Sequence, residues 1–402
     1  MKQFQKEIKS GRFYYGLAAI ALFFIFLSFF GIFGTYSSLM WLGILLIVIH
    51  LANHLYEKHV DNRLELINPR QIIRLYPEEE SEFVFRLKQH GWLPIIGGRL
   101  ILTYDQVIEM DDMKKTTTGT VFEKKLNVLG REAIELRIPF RAVKRGVGRI
   151  RSVRLEVPYL FGYGKISLYL QGMYRTEFIV YPEITEFSLS NRLKPKKHGD
   201  YQSNFSIFEN PTASYGTRSY LPGDPMNQIH WKATAKRQDM QTKVVERVSQ
   251  LSWLILVNVR EMNVPSFTGQ IETILSHTAF LCRYATEKNI PYQVLINVPK
   301  RGSIPFYSLS SGSGKDHYAK TLETLARINS KGLTTDFNRS LQYAKSVASE
   351  HPYVFHLGVF QDDFLPGYQA IQGSGSTVSV LNHQFQKVGL VPLESYTEEV
   401  AE

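Results

Sequence analysis

Two apolar stretches near the N-terminus constrain this chain more than any other feature. Phe13 to Phe33 carries no charged residue over about 20 positions, which is long enough to cross a bilayer as a helix. Leu39 to Leu55 is a second, slightly shorter candidate. A signal peptide is the alternative for the first stretch, but the apolar run is too long and no small-residue cleavage site precedes a polar chain. We therefore predict a transmembrane hairpin within residues 1–63.

The charges beside the two stretches predict the orientation of the hairpin. Its outer flanks are basic and contain Lys2, Lys6, Lys9, Arg12, Lys58 and Arg63. The connection between the stretches, residues 34–38, has no positive charge. Because basic flanks favour the cytoplasmic side, we predict a multi-pass protein of the cell membrane whose termini and soluble domains are cytoplasmic.

Residues 64–190 have the pattern of an all-β domain. Short alternating runs, such as FVFRLK at Phe83 and AIELRIPF at Ala133, recur between turn signals. This spacing predicts a small immunoglobulin-like sandwich. A polar and basic stretch follows, and we place a linker over residues 191–217.

Strands and helices alternate in the last part of the chain. The apolar run from Leu251 to Val259 predicts a strand buried on both faces, and helical periodicity runs from Ile271 to Glu287. Further strands and helices are predicted at Tyr292 to Val298, His317 to Ile328, Phe337 to Glu350, Val354 to Phe360, Val378 to Leu381 and Leu390 to Leu393. The alternation predicts an α/β domain with a mainly parallel sheet over residues 218–402.

The segment from Arg218 to Arg247 combines a turn with an unusual concentration of aromatic and basic residues. Residues 222–225 read Pro-Gly-Asp-Pro, which favours a turn. Ile229, Trp231 and Ala233 alternate with polar residues, as in a half-buried strand or an extended arm. We interpret the segment as a docking element. Its candidate residues are Arg218, Tyr220, Gly223, Asp224, His230, Trp231, Lys232 and Lys236.

The motif R-x-Y-x-x-G-D from Arg218, followed by I-H-W-K-A-x-A-K from Ile229, resembles the signature of the bacterial domain of unknown function 58 (YeaD-like) family. The chain departs from that signature at Asn227, where the family has arginine, and at His230, where it has aspartate. The resemblance implies a von Willebrand factor A-like C-terminal part. It also implies partners, namely a MoxR-type AAA+ ATPase and a transglutaminase-like membrane protein.

Two interpretations of these signature residues stay open. In the structural one, Asp224 forms a turn or cap, Trp231 is buried against the α/β core, and Arg218 and Lys232 pair with carboxylates. In the functional one, Tyr220, Trp231, Lys232 and Lys236 face a partner, since Trp, Tyr and Arg dominate interface energetics. Both can hold, because a buried tryptophan can brace an exposed basic strip.

The resemblance also raises the question of a metal site. A von Willebrand A-type domain often binds Mg²⁺ through Asp-x-Ser-x-Ser after its first strand, together with oxygen ligands from later loops. Here Asn258 replaces the aspartate and Arg260 replaces the first serine. The oxygen donors that could still gather at that edge are Thr334, Thr335, Asp336, Asp362 and Asp363. We predict a degenerate site without metal, filled by an arginine–carboxylate cluster.

The chain has a formal net charge of +10, and seven basic residues crowd the span from Arg137 to Arg154 in the β-rich region. Two interpretations stay open there: a solvated strand face, or a basic surface turned to the inner leaflet of the bilayer. The candidate membrane-surface residues are Arg141, Lys144, Arg145, Arg149 and Arg151. Nucleic-acid binding is not expected, because Phe140 is the only aromatic residue among these charges.

The catalytic motifs that we considered do not fit. Residues 311–316 lack the upstream glycine of a phosphate loop, and the single cysteine, Cys282, sits in an apolar helical stretch. We therefore predict a non-enzymatic, membrane-tethered adaptor or assembly factor that requires no cofactor. The alternative is a cell-envelope enzyme, hydrolytic or metal-dependent, with an unrecognised active site.

Overall fold

The computed structural model of this chain describes residues 3–9, 12–29, 37–61, 63–67, 70–111, 113–116, 119–161, 164–189, 209–247, 252–262, 264–382 and 389–396. Within them the chain divides into two compact units, Met1–Tyr181 and Pro182–Glu402.

A pair of adjacent helices, α1 (Arg12–Phe29) and α2 (Ser37–His59), forms the hairpin of the first unit. Close approach is possible because Gly43 has no side chain: a methyl group there would lie 3.0 Å from the carbonyl oxygen of Ala21. Among the described residues, one helical segment, Met40–His59, is long and apolar enough to cross a membrane, and Ala18–Ser28 is a shorter apolar helix. The structure thus supports one of the two predicted spans by length and composition.

The described residues of the first unit also form twelve strands. They are β1 (Phe4–Lys9), β2 (Leu64–Ile67), β3 (Gln71–Leu75), β4 (Glu80–Gln89), β5 (Ile95–Tyr104), β6 (Ile108–Met110), β7 (Met113–Thr116), β8 (Gly119–Val128), β9 (Ala133–Ala142), β10 (Gly146–Pro158), β11 (Lys165–Leu170) and β12 (Thr176–Val180). One sheet has the order β1-β11-β10-β5-β8-β7, with β12 joined to β10 and β3 joined to β12. The second sheet has the order β2-β4-β9-β6.

Side chains of both sheets share one hydrophobic core. Phe83 and Phe140 of the smaller sheet pack edge-on against Phe178 of the larger one, with ring centroids 5.5 Å and 4.8 Å apart. Alternation produces this arrangement, since β9 buries every second residue toward its end. The predicted β-rich domain is therefore present.

The helical hairpin is part of the same unit rather than an appendage. β1 precedes α1 and pairs antiparallel with β11, although the residues before α1 were predicted only as a charged flank. Tyr56 and Val60, in and just after the last turn of α2, belong to the core of the sheets. The first unit consequently runs from the N-terminus to Tyr181, whereas the sequence predicts a boundary at residue 63 and a sandwich that extends to residue 190.

Strand registers define two ends of the β-domain. At the hairpin end β1 leads into α1 and α2 leads into β2. The loops 90–94 and 129–132 and the described residues 159–161 and 164 of the loop after β10 lie there, because Leu64 pairs with Gln89, Ile95 with Val128, and Pro158 with Lys165. The far end carries the loops 76–79 and 143–145. The loop 171–175 follows the end of β11 that is away from the hairpin.

The second unit contains a six-stranded sheet and a separate hairpin. Its strands are β13 (Glu209–Ser219), β14 (Gln241–Arg247), β15 (Trp253–Asn258), β16 (Tyr292–Pro299), β17 (Phe306–Gly312), β18 (Tyr353–Gly358), β19 (Thr377–Asn382) and β20 (Gly389–Pro392). Its helices are α3 (Trp231–Arg237), α4 (Ile271–Glu287), α5 (Gly314–Arg327), α6 (Phe337–Val347) and α7 (Leu365–Gln372). The predicted linker over 191–217 ends inside β13, and residues 191–208 lie outside the described residues.

The six-stranded sheet has the order β17-β16-β15-β18-β19-β20. Its four central strands are parallel and both edge strands are antiparallel, so the predicted mainly parallel α/β sheet is confirmed. Every residue of β15 is buried, as its apolar run predicts, and α4 has the predicted bounds. β17 and α7 were not predicted.

We expect Trp253→Ala to destabilise the second unit by roughly 3–5 kcal/mol, because the substitution leaves a large cavity. The indole is buried, stacked on Tyr284 at 6.0 Å and edge-on to Phe355 at 4.9 Å. Hydrogen exchange of peptides from β15 and β16, followed by mass spectrometry, measures the loss of stability. A matched control is Trp231→Ala, which removes an indole that is 64% exposed and should change the free energy of opening by less than about 0.5 kcal/mol. Equal effects of the two variants would contradict the assignment of Trp253 to the core.

Candidate functional site

The signature segment folds into a small block built on the β13–β14 hairpin. The two strands pair antiparallel, with Arg218 opposite Thr242 and Ser219 opposite Gln241. Between them the chain makes a turn at residues 221–224, a 3-10 helix (Met226–Gln228) and the short helix α3. Gly223 has φ of 110°, a backbone conformation that favours glycine and accounts for this residue in the turn. We call residues 218–242 the signature block.

The Asp224 carboxylate connects the turn to both strands of the hairpin. It accepts hydrogen bonds from Arg218 Nη2 at 2.7 Å, from the Leu221 backbone N–H at 3.1 Å and from Thr242 Oγ1 at 3.0 Å. The Arg218 guanidinium, the Leu221 N–H and the Thr242 hydroxyl together lower the pKa of this carboxyl from 3.8 to about 2. The structural interpretation of Arg218 and Asp224 is therefore supported by geometry.

His230 caps helix α3. Its side-chain Nδ1 accepts a hydrogen bond from the Ala233 backbone N–H at 3.1 Å. The backbone N–H of His230 donates to the Gln241 backbone carbonyl at 2.8 Å. A side chain that accepts a bond three residues into a helix is the role for which aspartate is preferred. The geometry thus explains why a helix start of this kind accommodates either aspartate or a neutral histidine, whose unprotonated nitrogen serves as the acceptor.

Trp231 lies on the outside of the block. The predicted strand over Ile229 to Ala233 is wrong, because α3 begins at Trp231 and only Ile229 forms an isolated bridge, to Thr242. Of the two interpretations left open, the one that buries Trp231 against the core does not hold: Ile229 is 2% exposed and takes the inward position, whereas Trp231 is 64% exposed. Alternation and helical spacing coincide over so short a segment, so the pattern alone did not separate them.

The outer surface of the block is apolar and basic. Leu221 and Met226 are 59% and 64% exposed, and Lys232 and Lys236 are exposed as well. Tyr220 is half-buried, and its N–H donates to the Met240 carbonyl at 2.9 Å. Exposed apolar side chains on a backbone fixed by hydrogen bonds are typical of a binding surface.

The edge where a von Willebrand A-type metal would bind is occupied by amide groups. Asn297 Nδ2 donates to Asn258 Oδ1 at 2.7 Å, and Asn258 Nδ2 donates to the Val359 carbonyl at 2.6 Å. The Thr335 N–H donates to the Asn297 backbone carbonyl at 2.9 Å, which completes a bridge across four segments. The predicted arginine–carboxylate cluster is not what fills this position. Asn297 is the residue that the sequence reasoning missed, because nothing in its local pattern distinguishes it.

The other predicted oxygen donors have separate positions. Asp336 caps α6 by accepting from the Asn338 N–H at 3.2 Å, and Asp362 and Asp363 are exposed on a 3-10 helix. Within the described ranges, no group of three or more His, Cys, Asp or Glu side chains is arranged to hold a metal ion. The Arg260 N–H donates to Asn258 Oδ1 at 3.1 Å, so its backbone belongs to the amide cluster.

The five candidate membrane-surface residues lie away from the hairpin end. Arg141, Lys144, Arg145 and Arg149 are at or near the far end, and Arg151 is in the half of β10 closer to it. Arg141 pairs with Glu78, Arg149 with Glu177 at 2.5 Å and Arg151 with Asp105 at 2.8 Å. Their contact with a bilayer stays a prediction, and this placement argues against it.

Two buried histidines of the α/β unit were not singled out from the sequence. His356 Nδ1 lies 2.5 Å from the Tyr368 hydroxyl within a group of aromatic rings, and His351 Nε2 lies 3.1 Å from Gln293 Oε1. Burial lowers the pKa of each imidazole to about 4, so both are neutral in the fold at neutral pH. Their burial indicates packing rather than a site open to substrate.

The family comparison agrees with the signature motif. Residues 216–393, a little under half of the chain, match the model of the family described as Protein of unknown function DUF58. The match supports the resemblance of the second unit to that family and includes the whole signature block. No curated protein matches the chain.

Several solved structures match part of the chain at low identity and with low TM-scores. They include a non-cellulosomal cohesin from the archaeon Archaeoglobus fulgidus, at 12% identity over 29% of this chain and 91% of that chain with a TM-score of 0.20. A CARDB domain from Pyrococcus furiosus matches at 10% identity over 29% of this chain and 90% of that chain with a TM-score of 0.18. The sporulation control protein Spo0M from Bacillus subtilis matches at 16% identity over 29% of this chain and 48% of that chain, with a TM-score of 0.17.

The carboxylate of Asp224 makes the stability of the block vary with pH in the acidic range. Because its pKa is lowered on folding, its stabilising contribution is complete above about pH 4 and is lost as the pH falls toward 2. We expect Asp224→Asn to lower the melting temperature of the second unit at pH 5, and the difference from wild type to shrink toward pH 2. Differential scanning fluorimetry across this range tests the prediction, and a difference independent of pH would contradict it.

The histidine cap predicts an asymmetry between two substitutions. His230→Ala removes the acceptor of the Ala233 N–H and should cost about 1 kcal/mol, whereas His230→Asp keeps an acceptor there and should cost nothing or stabilise. Urea denaturation of both variants, read by circular dichroism, measures the two effects. If both variants lost the same stability, the imidazole would be acting through packing instead.

Proposed function

We propose that this chain is a non-enzymatic, membrane-tethered adaptor or assembly factor that docks onto its partner through the signature block. The observation that carries the proposal is the exposure of Trp231, 64%, on a backbone held by the bonds around Asp224 and His230. Large aromatic side chains held on a rigid surface are favoured as binding hot spots, because little entropy is lost when a partner covers them. Lys232 and Lys236 favour an acidic partner surface.

The partner that we propose is a MoxR-type AAA+ ATPase. The resemblance of the signature to the domain of unknown function 58 family implies this partner, and the family match over residues 216–393 includes the proposed docking surface. A transglutaminase-like membrane protein is the further partner that the same resemblance implies. As part of this proposal, we take the first unit to be an immunoglobulin-like sandwich and the second to be an atypical von Willebrand A-like domain.

The tether in this proposal is the helical hairpin, crossing the membrane twice. β1 before α1 and β2 after α2 lie in one β-domain, so the two outer ends of the hairpin must be on the same side of any bilayer that α2 crosses. An even number of crossings satisfies this requirement, which supports α1 as a second span despite its 18 residues. The basic flanks favour the cytoplasm for that side.

A co-purification experiment tests the docking surface. Trp231→Ala should reduce recovery of the AAA+ ATPase from detergent-solubilised membranes by at least about tenfold, since hot-spot truncations cost 2 kcal/mol or more. Leu333→Ala is the matched control, because Leu333 is 68% exposed in the same unit and lies outside the block. Lys232→Glu tests the charge preference in the same assay.

The outcomes separate the possibilities clearly. Loss of the ATPase with Trp231→Ala but not with Leu333→Ala supports the proposal. Equal recovery with wild type and Trp231→Ala would overturn docking through the block, and the absence of any ATPase in the wild-type preparation would overturn the choice of partner.

A further inference from the structure

Five exposed apolar side chains are grouped at the hairpin end of the β-domain. They are Trp92, Ile96, Leu129, Leu160 and Phe161, with exposed fractions of 76%, 59%, 58%, 42% and 47%. All five lie in, or directly beside, the three loops that define the hairpin end. We call them the apolar collar. Water-exposed groups of this size need a partner, because single domains seldom leave them uncovered.

Two of the collar loops are bonded to the last turn of α2. The Tyr56 hydroxyl donates to the Pro94 carbonyl at 2.7 Å, and the Tyr159 hydroxyl donates to Glu57 Oε2 at 2.9 Å. Gln89 Nε2 also bridges the carbonyls of Val60 and Leu93, at 3.3 Å and 3.1 Å. The collar is therefore fixed at the level at which α2 ends.

The collar loops also brace one another. The Arg131 N–H donates to the Gly91 carbonyl at 2.7 Å, and Gly130 packs directly against the backbone of Trp92. Any side chain at position 130 would collide with that backbone, so glycine permits the contact. These contacts hold the loops that carry Trp92 and Leu129 side by side.

The level of the collar follows from helix geometry. The segment Met40–His59 spans about 30 Å at a rise of 1.5 Å per residue, which matches the hydrocarbon core of a bilayer. Tyr56 is three positions before the end of that segment, so the loop bonded to it lies within roughly 5 Å of the boundary. Tryptophan and other apolar side chains are favoured at this depth.

The charges around the collar are compatible with a lipid surface. Lys58, Arg63 and Arg131 are exposed at the hairpin end, and basic side chains near an anionic surface each contribute about 1 kcal/mol of attraction. Two acidic side chains near the collar accept hydrogen bonds within the protein. Glu57 accepts from the Tyr159 hydroxyl, and Glu132 accepts from the Leu129 N–H.

We infer that the apolar collar inserts into the interfacial layer of the bilayer that the hairpin crosses, with anionic phospholipid headgroups around it. The inference rests on the membrane tether in the proposed function and adds a second contact to it: the β-domain lies directly on the membrane and does not project from it. This surface replaces the Arg141–Arg151 region as the lipid-facing part of the domain.

Site-directed spin labelling tests this inference on the full chain in nanodiscs of phosphatidylcholine with phosphatidylglycerol. In a Cys282→Ala background, one label is placed at Trp92→Cys. Met173→Cys is the matched control, because Met173 is 77% exposed in the loop 171–175, which follows the end of β11 that is away from the hairpin. Leu45→Cys reports on the hairpin itself, since Leu45 is 53% exposed within the apolar segment of α2. Accessibility to oxygen, which concentrates in lipid, is compared with accessibility to a water-soluble nickel complex.

We expect the ratio of oxygen to nickel accessibility to be highest at position 45, intermediate at position 92 and lowest at position 173. Leu129→Cys provides a second collar position and should follow position 92. If position 45 reads as lipid while positions 92 and 129 match position 173, the collar is in water and the inference is overturned, although the tether stands. If position 45 itself reads as water, the membrane tether fails, and the inference with it.

Discussion

Backbone pairing between β1 and β11 is the constraint on which the first unit depends. The register from Phe4–Leu170 to Lys9–Lys165 attaches the residues before α1 to the same β-domain that receives α2. A hairpin closed in this way has both outer ends held at one place. Pairing of this kind is more restrictive than a flexible tether, because a linker would let the domain move freely away from the helices. The position and orientation of the β-domain relative to the helical hairpin are thus set by main-chain hydrogen bonds.

The second unit uses hydrogen bonds differently, to fix a surface rather than a position. Asp224 accepts three bonds from separate parts of the signature block, and His230 starts a helix that holds Trp231 outward. Ile229 supplies the buried anchor beneath it. Structural and partner-facing interpretations of the signature therefore apply to different residues: Arg218, Asp224, Ile229 and His230 build the block, and Trp231, Lys232 and Lys236 are presented on it.

Local patterns predicted the elements that depend on local physics. The amphipathic repeat from Ile271 to Glu287 and the apolar run of β15 specify burial on one face or two, and both were found where expected. Trp231 was misplaced because three alternating apolar residues fit a strand as well as the start of a helix, and a histidine cap gives a weaker signal than aspartate. The edge strand β17 is rich in serine and glycine, so its sequence favours a turn.

Non-local pairing accounts for the remaining differences. β1 was overlooked because its partner strand is far along the chain. The acidic partners of the basic cluster, Glu78, Asp105 and Glu177, also lie on other strands and loops, so the local sequence does not indicate them. The same separation governs how the protein forms. Phe4 is synthesised 166 positions before Leu170, its partner in the sheet. At typical translation rates this delay is roughly 8–30 seconds, during which β1 is an unpaired strand. Formation of the helical hairpin and pairing of β1 are consequently separate events in time, and β1 closes the domain only after most of it has been made.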